Sequence, residues 1–509
     1  ADGNIMIISS DDFKGSGVLY GVYDLLEELC DYKYFASDEI YVKETKDMKF
    51  YEYVDKTVRP SFDSRTISVN ALMADHTYCT RLRNIMTAPS TGEWSYNTWG
   101  HGQIGYYVPY SKYGAIHPEW YMNTNSNVNS NQLCLSAGQD MEDIVFDKLC
   151  QFLKDEPNAI YFMFAQQDIA HGCQCDKCRA AINSWAGNYQ GIQVDFMNRM
   201  IKRVETWKEE NFPGRTIYYV VFGYQHTYQP PVKTDLNGNY TYISDRVIPN
   251  DKLRFMVAPV EANYTWSFDS PINSSLAQEL KKWNFYANGQ YMVYLYDTNF
   301  KFYFVNFNNF GSIEEDYRYL KSKNVFYIYS QGAVDSPIPN FSELRFFVET
   351  NLMWNLDKYN AHDLTIEFME HYYKDCKDEM MEYYDTTREI LTKACTTLGL
   401  GTSAGGIYGL LNSSEVYSQE KVIYLNKLFK QMFSKIETLE SEGKTELAEK
   451  LYLRVVREYL SVIYLNITLY KNVFLKEELM EMKEIFTKYT SYFGMHAVSE
   501  NTLLELNFD

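Results

Sequence analysis

From residue 61 to residue 345, short apolar runs alternate with longer stretches whose apolar residues recur at helical spacing. Candidate strands are residues 66–70, 132–135, 159–165, 216–222, 253–259, 290–296 and 324–329, with an eighth at 98–104. Helical stretches follow several of them, at 141–153, 191–209, 275–286 and 313–321. Runs such as Ile160-Tyr161-Phe162-Met163-Phe164 are apolar throughout, which suits parallel strands covered on both faces. The alternation predicts an α/β chain built on a (β/α)8 TIM-like barrel. The alternative is an open doubly wound sheet. No G-x-G-x-x-G follows any strand, which weakens a dinucleotide-binding version of it.

The flanks differ from this middle. Residues 1–60 read as a partial, truncated N-terminal α/β domain. It has an apolar run at 5–8, glycines at Gly15 and Gly17, and helical spacing of Val18, Val22, Leu25, Leu26 and Leu29. Arg59-Pro60 marks its end, because proline biases its neighbour away from helix. Residues 346–509 read as a C-terminal helical domain, with amphipathic stretches at 360–394, 419–442 and 446–486. A Gly/Ser-rich segment, 399–409, interrupts it. The chain opens on Ala1-Asp2-Gly3, which reads as a processed or trimmed terminus. No run of 18 apolar residues exists, so no membrane insertion is expected.

Charge narrows the partners. The net charge of −19 argues against nucleic acid or an anionic membrane, since both need a positive surface. Aromatic residues make up 17% of the chain, with 46 Tyr, and flat rings with one polar tip suit sugars and protein interfaces alike.

In a barrel the C-terminal strand ends face the active site, so the polar residues closing each apolar run are the candidates. Three are carboxylates: Asp168 after 159–165, Glu261 after 253–259, and Asp297 after 290–296. Glycoside hydrolysis needs such a set, with one carboxyl group protonating the leaving oxygen and another acting as nucleophile or activating water. Arg65, His101, His171, Tyr224, Trp266, Tyr296 and Gln331 are expected to shape the sugar subsite. Each has a plain structural reading: Asp168 as a loop cap, Asp297 as a turn residue, Glu261 as a paired or solvated carboxylate, and the histidines as satisfied structural side chains. No cofactor is required for this chemistry.

The sharpest local motif is Cys173-Gln174-Cys175-Asp176-Lys177-Cys178, preceded by His171. Three cysteines this close have zinc-ligand spacing, with His171 or a remote cysteine such as Cys134 as the fourth ligand. A disulfide is the alternative, and either would clip the loop after the fourth strand. The nine cysteines are otherwise scattered and odd in number. Six N-x-S/T sequons, at Asn239, Asn263, Asn273, Asn340, Asn412 and Asn466, matter only in a eukaryotic secretory pathway.

Several segments resemble known families. Gly15-Ser16-Gly17-Val18-Leu19-Tyr20-Gly21-Val22-Tyr23-Asp24-Leu25-Leu26-Glu27 resembles the segment ending the small N-terminal domain of alpha-glucuronidase- and hexosaminidase-type barrel glycosidases. The stretch from Tyr32 to Val42 is similar to the one that follows it there. His117-Pro118-Glu119-Trp120-Tyr121, Gln132-Leu133-Cys134-Leu135-Ser136, the Cys173–Cys178 motif, Ala258-Pro259-Val260-Glu261 and Leu352-Met353-Trp354-Asn355 resemble a bacterial family catalogued as domain of unknown function 4838. The resemblance spans residues 1–390 and implies an exo-acting glycoside hydrolase, secreted or on the surface of a bacterium such as a gut polysaccharide degrader. Carried over, Asp168 resembles the acid and Glu261 or Asp297 the base or nucleophile. The fourth-strand residue is Asp where those families have Glu, and Ile169 follows it, so the hexosaminidase Asp-Glu pair is missing. Two rival readings remain: a carbohydrate-binding barrel without catalysis, and a zinc-dependent hydrolase using the His/Cys loop.

Overall fold

The computed structural model describes residues 6–9, 17–44, 56–69, 75–85, 93–124, 127–400 and 402–505. Its centre is one six-stranded parallel sheet: β1 (Ser64–Ser68), β2 (Tyr161–Met163), β3 (Tyr218–Gly223), β4 (Leu253–Val257), β5 (Tyr291–Tyr296) and β6 (Tyr327–Gln331). The strand order is β1-β6-β5-β4-β3-β2, every pair parallel. The first strand pairs with the last and the rest follow in sequence. That is the circular order of a barrel; a doubly wound sheet has its first strand inside and reverses direction there.

The sheet curls around an interior filled by every second side chain. Met163, Val220, Phe222, Met256, Met292, Tyr327 and Tyr329 form one apolar cluster with Trp94. The Trp94 ring lies 4.8 Å from Tyr161 on β2 and 5.5 Å from Tyr327 on β6, so one side chain bridges the two flanks of the curl. Among the described residues β1 and β2 do not pair with each other, so the observed form is a curled half-barrel. Asn84 and Ile85 run beside β1, with Ile85 N–H donating to Arg65 O at 2.8 Å. Trp94 makes a single parallel bridge to Tyr161.

Two expected strands take other forms. Residues 132–135 fall at the end of an antiparallel hairpin, Tyr121–Thr124 with Asn127–Leu133, outside the parallel sheet. Its sequence is largely polar, and a central parallel strand would bury it on both faces. Residues 98–104 form a tight turn at Tyr96–Thr98 and a π-turn at Gln103–Tyr107, because Gly100 and Gly102 break extended structure there. At the N-terminus, Gly17–Cys30 forms helix α1, while residues 6–9 are irregular; Ile5 and Gly15 lie outside the described residues.

The four expected helices form around the sheet as α2 (Gln139–Asp155), α4 (Gln190–Asn211), α5 (Ser274–Ala287) and α6 (Ile313–Ser322), joined by two that were not expected, α3 (Asp176–Ser184) and α7 (Ser342–Trp354). The later chain is helical, as its periodicity predicts: α8 (Lys377–Thr396), α9 (Gln419–Ser441), α10 (Thr445–Leu469) and α11 (Lys476–Tyr492). It shares one apolar core with the sheet's outer face, running from Tyr20 to Ala497. Among the described residues no helix is long and apolar enough to cross a membrane. Asn263, Asn273, Asn340 and Asn466 are buried, which removes four sequons from reach.

The Gly/Ser-rich segment docks on the barrel loops. Gly405 O accepts from Tyr264 N–H (2.8 Å), and Ile407 O from Phe300 N–H (2.7 Å). A Cβ on Gly405 would lie 1.8 Å from Asn263 Oδ1, so only glycine allows this approach.

Candidate active site

The loop after β2 is held from three sides before it reaches Asp168. Buried Gln166 donates through Nε2 to Thr227 Oγ1 at 2.7 Å, tying this loop to the one after β3. Gln166 O lies 2.6 Å from His101 Nδ1. Gln132 grips the Gln167 backbone twice, donating to its O at 3.0 Å and accepting from its N–H at 3.1 Å. Asp168 then projects exposed at the mouth, where its Oδ1 accepts the Tyr224 hydroxyl at 2.8 Å. Gln225 donates to that same hydroxyl oxygen at 3.2 Å. Gln225 holds φ at +52°, a left-handed conformation that costs energy in a non-glycine residue.

Aromatic rings line the rest of the mouth. His101 packs 5.1 Å from Phe222 and 5.9 Å from Tyr224. Tyr294 and Tyr296 point inward from β5, their rings 5.3 Å apart. Tyr294 donates to Gln331 Oε1 at 2.7 Å. The structure thus brings together Asp168, His101, Tyr224, Tyr296 and Gln331.

Three further residues join them from segments that sequence reasoning passed over. Asp335, beyond the end of β6, accepts from Tyr303 Oη at 2.7 Å. Tyr408, in the Gly/Ser-rich segment, donates to Glu500 Oε2 at 3.2 Å. Glu500 sits at the tip of a C-terminal hairpin, Ala497–Ser499 with Thr502–Leu503, and its N–H donates to Phe300 O at 2.8 Å. Glu500 is exposed to solvent, but partial burial raises its carboxyl above the usual range and the charges of Asp168 and Asp335 raise it further, against the Tyr408 hydrogen bond. Burial also pushes the Tyr408 phenol up to about 12, with Glu500 and Asp168 contributing. Asp335 was findable, since it follows a barrel strand by four residues; nothing local marks Glu500 or Tyr408.

Other expected site residues lie elsewhere. Side chains alternate faces along a strand. With Tyr294 and Tyr296 inward, Asp297 points outward to the helix layer. There it is buried, accepts from Asn309 Nδ2 at 2.9 Å and from the Ser330 hydroxyl, and faces Glu349 on α7. Burial, and then the adjacent Asp297 charge, hold the Glu349 carboxyl well above its ordinary range. Arg65 obeys the same alternation. Thr66 faces inward beneath the Tyr327 hydroxyl, so Arg65 points outward, capping Arg83 O and stacking 5.1 Å over Trp354. Trp266 packs against the C-terminal helices with Ile390, Leu391 and Leu465. Glu261 is exposed on the turn after β4, where its charge acts on Tyr228. His171 is exposed beyond Asp168, toward His226.

Cys173, Cys175 and Cys178 meet Cys134, and all four Sγ atoms lie within 4.8 Å of one another. His171 is not part of that group.

A family model described as "Domain of unknown function (DUF4838)" matches residues 34–385. No curated protein matches the chain. Solved structures similar to it include CpGH84B, at 11% identity and a TM-score of 0.40, over 96% of this chain and 81% of that one. Another is a family 89 glycoside hydrolase from Clostridium perfringens in complex with PUGNAc, at 10% identity and a TM-score of 0.47, over 94% of this chain and 59% of that one. A third is a GH138 enzyme targeting pectin rhamnogalacturonan II, at 11% identity and a TM-score of 0.37, over 70% of this chain and 57% of that one.

Proposed function

The chain belongs to the DUF4838 family, and from that premise we propose that its barrel mouth is the active site of an exo-acting glycoside hydrolase. The observation that carries the reading is the unequal carboxyl pair. Glu500 is exposed at the hairpin tip, yet partial burial and the charges of Asp168 and Asp335 raise its carboxyl above the ordinary range, against the Tyr408 hydrogen bond. Asp168 is fixed as an acceptor by Tyr224. A carboxyl group shifted toward protonation beside another that accepts hydrogen bonds is the pairing that acid-assisted cleavage of a glycosidic bond uses.

In this mechanism Glu500 protonates the leaving oxygen. Asp168 acts from the opposite side, as nucleophile or as the base that activates water. This gives Glu500 the acid role first expected of Asp168, and gives Asp168 the role first expected of Glu261. Exposed Tyr408 offers a face to the sugar's C–H groups, and His101, Gln225 and Gln331 offer hydrogen bonds to its hydroxyls. The Gly/Ser-rich segment and the C-terminal hairpin wall one side of the mouth, which favours a chain end over a continuous chain. The zinc-hydrolase reading fits less well, because four clustered thiols would fill a tetrahedral ion and leave no open position.

The test is a panel of aryl glycosides and uronides, N-acetylhexosaminides included, with the wild type, Asp168→Asn and Glu500→Gln. Each substitution is expected to lower kcat/KM by about 10²–10⁴-fold while leaving the thermal melt unchanged. Full activity in both variants sinks the assignment. Binding of an oligosaccharide without turnover, equal in all three proteins, supports the carbohydrate-binding barrel instead.

A further inference from the structure

The four-cysteine cluster lies outside this mouth, and catalysis does not use it. Cys134 follows the 121–133 hairpin, Cys173 lies in the loop after Asp168, and Cys175 and Cys178 flank the start of α3. Cys134, Cys173 and Cys178 are buried. Cys134 Sγ is 3.7 Å from Cys175 Sγ and 3.7 Å from Cys178 Sγ. A zinc–sulfur bond of about 2.3 Å gives a tetrahedron with edges of about 3.8 Å, so these separations are those of thiolates sharing one ion. A disulfide would single out one partner at about 2.05 Å, whereas Cys134 stands equally far from two. Backbone N–H groups also aim at the sulfurs: Asn123 N–H donates to Cys173 Sγ at 3.4 Å, and Cys178 N–H to Cys175 Sγ at 3.5 Å. Such donors stabilise thiolate charge, as outer-shell groups do around a metal.

We propose that Cys134, Cys173, Cys175 and Cys178 bind one structural zinc ion, which fastens the Asp168-bearing loop to the 121–133 hairpin. The fastening has a route to the mouth. Gln132 stands two residues before Cys134 and clamps Gln167, the neighbour of Asp168, through both its amide atoms. On the other side of Asp168, Gln174 N–H donates to Asn123 O at 2.8 Å, and Cys173 N–H to Tyr189 Oη at 2.7 Å. Gly172 lies flat against the Tyr189 ring, where any Cβ would come within 1.9 Å. The ion closes this circuit. Zinc suits it as a redox-inert cation with no geometric demand beyond the tetrahedron.

The test is metal analysis of the full chain purified without chelators, read together with thiol alkylation. One zinc per chain is expected, with no disulfide among the four cysteines and cobalt replacing zinc to give thiolate charge-transfer and tetrahedral d–d absorption. Cys175→Ser is expected to lower zinc content tenfold or more. Should that variant fail to fold, alkylation of the wild type decides: the four thiols should be protected until chelator is added and reactive afterwards. Four free thiols without metal, a disulfide among them, or iron in place of zinc overturns the proposal. These readouts are independent of glycosidase activity, so a zinc-loaded, inactive chain would sink the proposed function and leave this one standing.

Discussion

Glu458 on α10 makes a prediction that needs no substrate. It is 1% exposed, and its Oε2 accepts from Asn340 N–H at 3.1 Å and Phe341 N–H at 3.0 Å. Those two residues hold φ at +89° and +53°, left-handed values that need outside support, and they lead into α7. Burial pushes the carboxyl from 4.5 up to about 7; Glu343 adds to this, while Arg457 and the two N–H groups oppose it. The folded chain therefore binds this proton more tightly than the unfolded chain. Its contribution to stability is full below pH 4.5 and is lost as pH rises through about 7. At 1.36 kcal/mol per pKa unit, the swing is about 3 kcal/mol. Glu458→Gln keeps an acceptor oxygen and cannot ionise, so its stability relative to wild type should rise by that amount between pH 4.5 and 8. At about 2.1 cal/mol/K per residue, the melting entropy of this chain is on the order of 1 kcal/mol/K, so the Tm difference should change by about 3 °C. Scanning calorimetry of both proteins across that range measures it. A Tm difference that stays flat with pH would refute the reasoning, whatever its constant offset.

Other perturbations separate mouth residues from structural ones. Tyr224→Phe removes the hydroxyl that positions Asp168. A hydrogen bond to a charged group is worth about 1.5–3 kcal/mol, so kcat/KM on an active glycoside should fall about ten- to a hundredfold with an unchanged melt. Asp297→Asn should do the reverse: it disturbs the bonds to Asn309 and Ser330, lowering stability by about 1–3 kcal/mol in urea unfolding, while kcat of the folded fraction stays at wild-type level.

The sequence read well wherever burial leaves a local signature. Residues 216–222 and 290–296 are near-continuous apolar runs, and both are strands of the parallel sheet. Helical spacing marked α4 and α9 for the same reason. Asp168 was legible because a polar residue closing a buried strand must reach solvent or a partner, and here it reaches both. Asp297 carries the same signal, yet it faces the helix layer, as does Arg65 at the start of β1. Each lies one residue from an inward side chain, and strand alternation inverts its role. Glu500 and Tyr408 were not legible at all. They reach the mouth only because the 399–409 segment and the C-terminal hairpin fold back onto loops far away in sequence, and no local pattern encodes that approach.

By itself, then, the sequence determined the alternation of strand and helix, the parallel character of the strands, the helical C-terminal part and the tight cysteine motif. All of these follow from apolar periodicity and residue spacing, which act over a few residues. Tertiary structure alone decided that the sheet curls with its first strand on its last, that Cys134 rather than His171 completes the thiol cluster, and that Glu500 stands with Asp168. Those outcomes depend on which faces are buried against which partners. Burial of that kind is settled by the packing of the whole chain, where one residue of strand register exchanges core for solvent.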